Sequence, residues 1–156
     1  EIILTQEGYD ALAEEYNLAT TVKRKEIAEA LKEARSYGDL SENAEYDAAK
    51  DAQAELEERI SKLEEMMKVA KVVDANTDKN RVDVGAKVTV ETLGKDGKKV
   101  QKEYSIVGSA ESDPFSGKLS NESPVGRSLM GRKKGETVEV QLKETVVEYK
   151  IVKIQR

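Results

Sequence analysis

Seven positions between Ala49 and Ala70 constrain this chain more than any other feature. Ala49, Gln53, Leu56, Ile60, Leu63, Met67 and Ala70 alternate steps of four and three without a slip. That spacing is the a/d seam of a coiled coil, and the faces between are nearly all charged. A helix from Asn43 to Val73 would be roughly 45 Å long at about 1.5 Å per residue. One amphipathic helix cannot bury such a seam alone, so the sequence requires a partner helix.

The preceding residues supply it. Thr5 is placed as an N-cap, and helix-favouring sequence runs from about Gln6 to Ser36. Leu12, Tyr16 and Ala19 fall at helical spacing, and Ile27, Leu31 and Ala34 repeat the pattern. Thr20-Thr21-Val22 and Lys23-Arg24-Lys25 disturb it, which predicts a bend or short break. Gly38 ends the run as a C′ residue suited to left-handed backbone. The short Gly38–Glu42 connection then forces the two helices antiparallel. Residues 1–75 are expected to form this hairpin, with its tip at 38–46.

Asp74-Ala75-Asn76-Thr77-Asp78-Lys79-Asn80 is polar and aperiodic, and a linker is expected over 76–85. From 86 to 156 the period changes to two. Ala86, Val88 and Val90 alternate with polar residues, Gly94-Lys95-Asp96-Gly97 is a turn, and Val100–Val107 returns. Val138, Val140 and Leu142 mark a third strand and Val146–Ile154 a fourth. Ser123 and Pro124 open one short helix, and Gly131 follows its end. The fold class is therefore α+β: a helical hairpin, then a mostly antiparallel sheet packed on a short helix.

The chain has 156 residues, with no Cys and no His. Disulfides, zinc sites of the usual ligand types and Cys- or His-based catalysis are excluded. Carboxylates, hydroxyls, Lys, Arg and Tyr remain. Residues 1–80 carry 11 Lys+Arg against 20 Asp+Glu, and residues 81–156 carry 15 against 11. Two modules with different contacts are expected, and the acidic half would repel free nucleic acid. No apolar run approaches the length that crosses a bilayer, so no membrane association and a cytoplasmic location are expected. The chain begins at Glu1 rather than Met, from which processing or trimming is expected.

Two readings compete at the tip. Asp39 and Glu42 are three apart, so Asp39 could cap the second helix with Glu42 reaching back in a capping box. Alternatively the two carboxylates converge on a hard divalent cation, whose shell a partner completes. Glu45, Asp47, Asp51 and Glu55 read as a solvated face. Arg35 and Lys50 flank the tip, either as a basic spot for a phosphate or as counter-charges to acidic neighbours. Arg132-Lys133-Lys134 reads as a solvated turn, and the short helix at Ser123–Met130 as packing.

Gly38-Asp39-Leu40-Ser41-Glu42-Asn43-Ala44-Glu45-Tyr46, between two helices, resembles a signature of the bacterial GreA/GreB transcript cleavage factors. Ser123-Pro124-Val125-Gly126-Arg127-Ser128-Leu129-Met130-Gly131 is similar to that family's second signature. The resemblance implies an N-terminal antiparallel coiled coil joined to a C-terminal FKBP-like domain. It implies docking on RNA polymerase, with the coiled coil in the secondary channel and its tip at the 3′ end of backtracked nascent RNA. There Asp39 and Glu42 would share a Mg²⁺ with the polymerase, whose own active centre cleaves the transcript. Ser41 and Asn43 match supporting tip positions, and Arg35 and Lys50 match a small basic patch for the extruded RNA. A monomer is expected, not an enzyme in isolation. Where the family commonly has Arg-Pro in the first arm this chain has Arg24-Lys25, which bears on the bend. A channel-binding inhibitor without cleavage stimulation is the alternative, but such relatives carry altered tip acids. Prolyl isomerase activity is not implied, since Phe115, Tyr104 and Tyr149 are the only aromatics of this domain.

Overall fold

The computed structural model describes residues 1–39, 43–73, 80–94 and 96–155. These form two compact units, one of residues 9–69 and one of residues 1–8 with 70–156.

The first unit is helical. Helix α1 (Gln6–Leu18) runs into a π-helical segment (Ala19–Lys23), then α2 (Arg24–Ser36), and α3 (Ala44–Val69) returns. Residue pairs across the hairpin give its sense: Tyr16 with Glu64, Arg24 with Glu57, Asn43 with Ala34. As one number rises the other falls, so α3 runs antiparallel to the first arm. Ala19, Leu31 and Ala34 are buried on that arm, as are Ala49, Ile60 and Leu63 on α3.

The expected break is a change of helical pitch. From Leu12 to Ile27, Tyr16 to Leu31 and Ala19 to Ala34 the separation is fifteen residues each time, one more than two heptads. An α-helix would rotate the second trio about 100° off the seam. A single π-turn absorbs the extra residue, so both trios face α3. Thr20 Oγ1 donates to the Tyr16 carbonyl at 2.9 Å, and Thr21 Oγ1 to that of Asn17 at 2.6 Å. The Thr-Thr pair thus supplies hydrogen bonds to carbonyls where the α-ladder is interrupted. Arg24 grips Glu57 with two bonds of 2.9 Å, and Arg59 grips Glu15 with bonds of 2.8 and 2.9 Å, on either side of this segment.

The second unit holds a five-stranded sheet. Its strands are β3 (Lys87–Leu93), β4 (Lys99–Val107), β5 (Lys118–Ser120), β6 (Thr137–Leu142) and β7 (Thr145–Gln155), in the order β5-β4-β3-β7-β6. All neighbours are antiparallel except β4 and β5, which are parallel. Short helix α4 (Pro124–Leu129) packs on β5 and β6. Ser123 caps it, accepting from Gly126 N–H at 3.1 Å. Val88, Val90, Ile106, Leu129, Val138, Val140, Tyr149 and Ile151 make the core. A bulge at Val152 lets both Ile151 and Ile154 turn to the side of Val90 and Val88, which a strict period of two forbids.

Two expectations need correction. The sequence drew one domain over 1–75, whereas β1 (Ile2–Leu4) pairs in parallel with β2 (Ala70–Val72) and both pack with the second unit. Helix α3 therefore stops at Val69 rather than Val73. The seam's last member, Ala70, is at helical spacing but belongs to a strand. Second, the linker expected over 76–85 ends sooner. Arg81 bridges Lys133, and Val82 and Val84 are buried because their alternation carries them into the core. Residues 76–79 lie outside the described set. The sheet is mostly antiparallel as expected, with the three-residue strand β5 running parallel to β4.

Thr5 is the expected N-cap, accepting from Gly8 N–H at 3.0 Å. A glutamate 106 positions further along the chain completes the cap. Glu111 accepts from Thr5 N–H at 2.8 Å and from Thr5 Oγ1 at 2.6 Å. In a capping box that carboxylate comes from the third helical residue. Here that residue is Gly8, and Glu111 fills the space beside it.

Candidate functional site at the hairpin tip

Helix α2 ends at Ser36, with Tyr37 as C-cap and Gly38 in left-handed backbone at φ 108°. The Tyr37 hydroxyl donates to Glu33 at 2.8 Å, and that bond, with the carboxylate's charge, raises the phenol above its ordinary pKa. Arg35 lies exposed in the last turn, where a cation suits the negative end of the helix dipole.

Asn43 closes the tip. It is 8% exposed, and its two amide atoms face opposite ways. Oδ1 accepts from Glu45 and Tyr46 N–H, both at 3.1 Å, which makes Asn43 the N-cap of α3. Nδ2 donates to the Ala34 carbonyl at 2.6 Å, satisfying one of the last acceptors of α2. One side chain thus serves both helix ends.

This overturns the capping reading of the acidic pair. The helix begins at Ala44, so Asp39 stands four residues before the cap, and Glu42 precedes the cap instead of following it by three. Asp39 is exposed; Ser41 and Glu42 lie outside the described residues. Lys50 is exposed near the end of the second turn of α3. Among the described residues neither Arg35 nor Lys50 makes an ion pair, and no bond joins them. Glu45, Asp47, Asp51 and Glu55 are exposed, as a solvated face requires.

Asn43 was placed by the sequence as a supporting residue; its double role was not. The signal was available, because Asn leads the N-cap preferences and Ala44 begins an unbroken helical run. Nothing in the spacing pointed to Ala34 as its second partner.

Asp39 offers hard oxygen donors of the kind Mg²⁺ takes. Among the described residues no group of three or more carboxylates could hold a metal ion. One such carboxylate supplies part of a Mg²⁺ shell.

Two family models divide the chain. "Transcription elongation factor, N-terminal" matches residues 2–72, and "Transcription elongation factor, GreA/GreB, C-term" matches residues 76–156. The chain belongs to the GreA/GreB family. Transcription elongation factor GreA of Clostridioides difficile is 53% identical over all of this chain and 97% of its own length. The GreA of Alkaliphilus oremlandii is 50% identical over the same shares. A solved structure, GreA factor homolog 1 of Thermus thermophilus, is 24% identical with a TM-score of 0.45, covering 100% of this chain and 99% of that one. As a GreA/GreB transcription elongation factor, the chain is split by sequence between Val72 and residue 76, but by packing at Ala70. The difference arises because β1 and β2 fall within the first match and pack with the second unit. No helix among the described residues of this GreA/GreB chain is long and apolar enough to cross a membrane.

Proposed function

We propose that this elongation factor binds RNA polymerase, enters its secondary channel by the hairpin tip and stimulates cleavage of backtracked nascent RNA. The polymerase's active centre performs the hydrolysis; the factor lends carboxylates and is not an enzyme in isolation. The observation that carries the reading is the Asn43 cap. Asn43 occupies the N-cap position of α3, and Asp39 is an exposed acid at the hairpin end.

Asp39 and Glu42 are the residues that would hold a Mg²⁺ shared with the polymerase. Bound there, the ion supplies charge neutralisation and an activated water. The chain's residues do the positioning. Asn43 fixes where α3 starts and ties it to the end of α2. Arg35 and Lys50 offer cations to the phosphates of the extruded 3′ end, Lys as a point charge and Arg as a fork. A cytoplasmic monomer accords with this role.

Transcript release from a backtracked elongation complex, with and without the protein, tests the proposal. Accelerated release by the parent and loss of it in Asp39→Ala, with binding retained, is the expected result. Binding without any release by the parent would instead make the protein a channel-occupying inhibitor.

A further inference from the structure

Of the four aromatic residues between Tyr9 and Val69, three are half-buried: Tyr9, Tyr16 and Tyr46. The fourth, Tyr37, is 61% exposed at the end of α2. An aromatic side chain left that bare buries little of the area it could.

The residue is nevertheless held at both ends. As C-cap of α2 it donates its N–H to the Ala34 carbonyl at 3.2 Å. That carbonyl also accepts from Asn43 Nδ2, so one acceptor joins Tyr37 to the start of α3. At its far end the phenol donates to Glu33 Oε1 at 2.8 Å, one turn back on α2. The side chain is thus ordered in advance while most of the residue stays open to solvent. Asp39 is two residues on, so its Cα lies within about 8 Å of that of Tyr37.

The chemistry of the tip favours a nucleobase as the partner. Unpaired bases stack on aromatic side chains whatever their identity, because every base has a π-face. A neutral ring suits that role beside phosphates. The bond to Glu33, and after it that carboxylate's charge, raise the phenol pKa, which keeps the ring uncharged at neutral pH. Glu33, Asp39 and Glu45 repel free nucleic acid, so the RNA has to be presented by the polymerase.

We infer that the Tyr37 ring is a stacking platform for an unpaired base of the RNA segment extruded by backtracking. The inference rests on the cleavage reading above and adds a binding residue to it. Arg35, Tyr37 and Asp39 then set a cation, an aromatic ring and a carboxylate within five residues. Those are partners for a phosphate, a base and a metal ion. Stacking that persists from bound state to transition state tightens the complex without speeding the chemical step. Tyr37 therefore acts on affinity.

The test titrates the full-length parent, Tyr37→Ala, Tyr37→Leu and Tyr37→Phe into backtracked elongation complexes and follows release of the RNA fragment. One set of complexes carries an ordinary transcript, the other a transcript whose 3′ segment is abasic. Loss of one base–aromatic stack costs about fivefold or more in affinity. With the ordinary transcript, Tyr37→Ala should need at least about fivefold more protein for half-maximal release. It should reach the parent's maximal rate and melt as the parent does. Tyr37→Leu should follow Tyr37→Ala, while Tyr37→Phe, which keeps the ring, stays close to the parent. With the abasic transcript, parent and Tyr37→Ala should titrate together. Equal titrations on the ordinary transcript, beside active parent protein, overturn the platform and leave the cleavage reading standing. A loss of the same size with both transcripts would assign the ring to a protein wall of the polymerase, and also overturns it. A parent that neither binds nor cleaves overturns both.

Discussion

The carboxyl group of Glu111 occupies the place where a side chain at Gly8 would begin. Gly8 is the third residue of α1, and its bareness lets a distant glutamate cap the helix in place of a local one. Gly8→Ala would ordinarily stabilise a helix by up to about 1 kcal/mol. Here it should push Glu111 off Thr5 and cost about 1–3 kcal/mol in lost charge-assisted bonds. In a Glu111→Ala background the same change should be neutral or stabilising. A double-mutant cycle by thermal unfolding measures the reversal; additive costs would contradict it.

Gly108 meets a harder obstacle, because a Cβ there would strike the Ile3 backbone carbonyl. A flexible carboxylate swings aside, but a paired strand must shift. Gly108→Ala should therefore expose β1 to hydrogen exchange while Gly8→Ala leaves its pairing with β2 intact.

The π-segment makes a prediction about length. Deleting Thr21 removes the fifteenth residue between matching seam positions and turns the segment into plain α-helix with the seam in phase. Stability should change by less than about 1 kcal/mol. Deleting Glu29 instead rotates Leu31 and Ala34 off α3 and should cost several kcal/mol, about 2–5 for each large side chain removed from the core. Circular dichroism melts of the two deletions distinguish a compensating bulge from an incidental one.

Asn43→Ala removes an N-cap and leaves the Ala34 carbonyl without that donor, so a loss of about 1–2 kcal/mol is expected. Asn43→Asp keeps the cap but not the donor and should recover only part of it. Hydrogen exchange at Glu45 and Tyr46 reports the cap itself.

Arg24 holds the Glu57 carboxyl below its ordinary pKa through their paired hydrogen bonds, with some opposition from desolvation. A lowered folded-state pKa stabilises the fold above the unfolded value, and that contribution fades as pH falls through the folded one. Both side chains are solvent-accessible, so the effect is small and salt-sensitive. Titration of Glu57 by NMR should move back toward the ordinary carboxylate range in Arg24→Ala.

The parts legible in the sequence were those set by local period. The seam residues Ile60 and Leu63, the four long strands, the Ser123 cap and Gly38 follow from spacing and turn chemistry over a few residues. What escaped depends on partners far along the chain. Three-residue strands carry no period, so β1, β2 and β5 were invisible, and Ala70 continued a helical pattern into a strand. Glu111 reaching Thr5 spans 106 positions. At the tip the acidic pair's spacing of three suggested a cap that Asn43 in fact provides. Local spacing proposed two jobs for Asp39, and the helix boundary removed one.

On the proposed function the tip carboxylates complete a metal site whose remainder belongs to the polymerase. The most direct measurement is the Mg²⁺ dependence of RNA cleavage in a backtracked elongation complex saturated with parent, Asp39→Ala or Glu42→Ala protein. Each variant should bind as the parent does, cleave about 100-fold more slowly at low Mg²⁺ and recover partly as Mg²⁺ rises. Variants that cleave at the parent's rate across the whole Mg²⁺ range would contradict it.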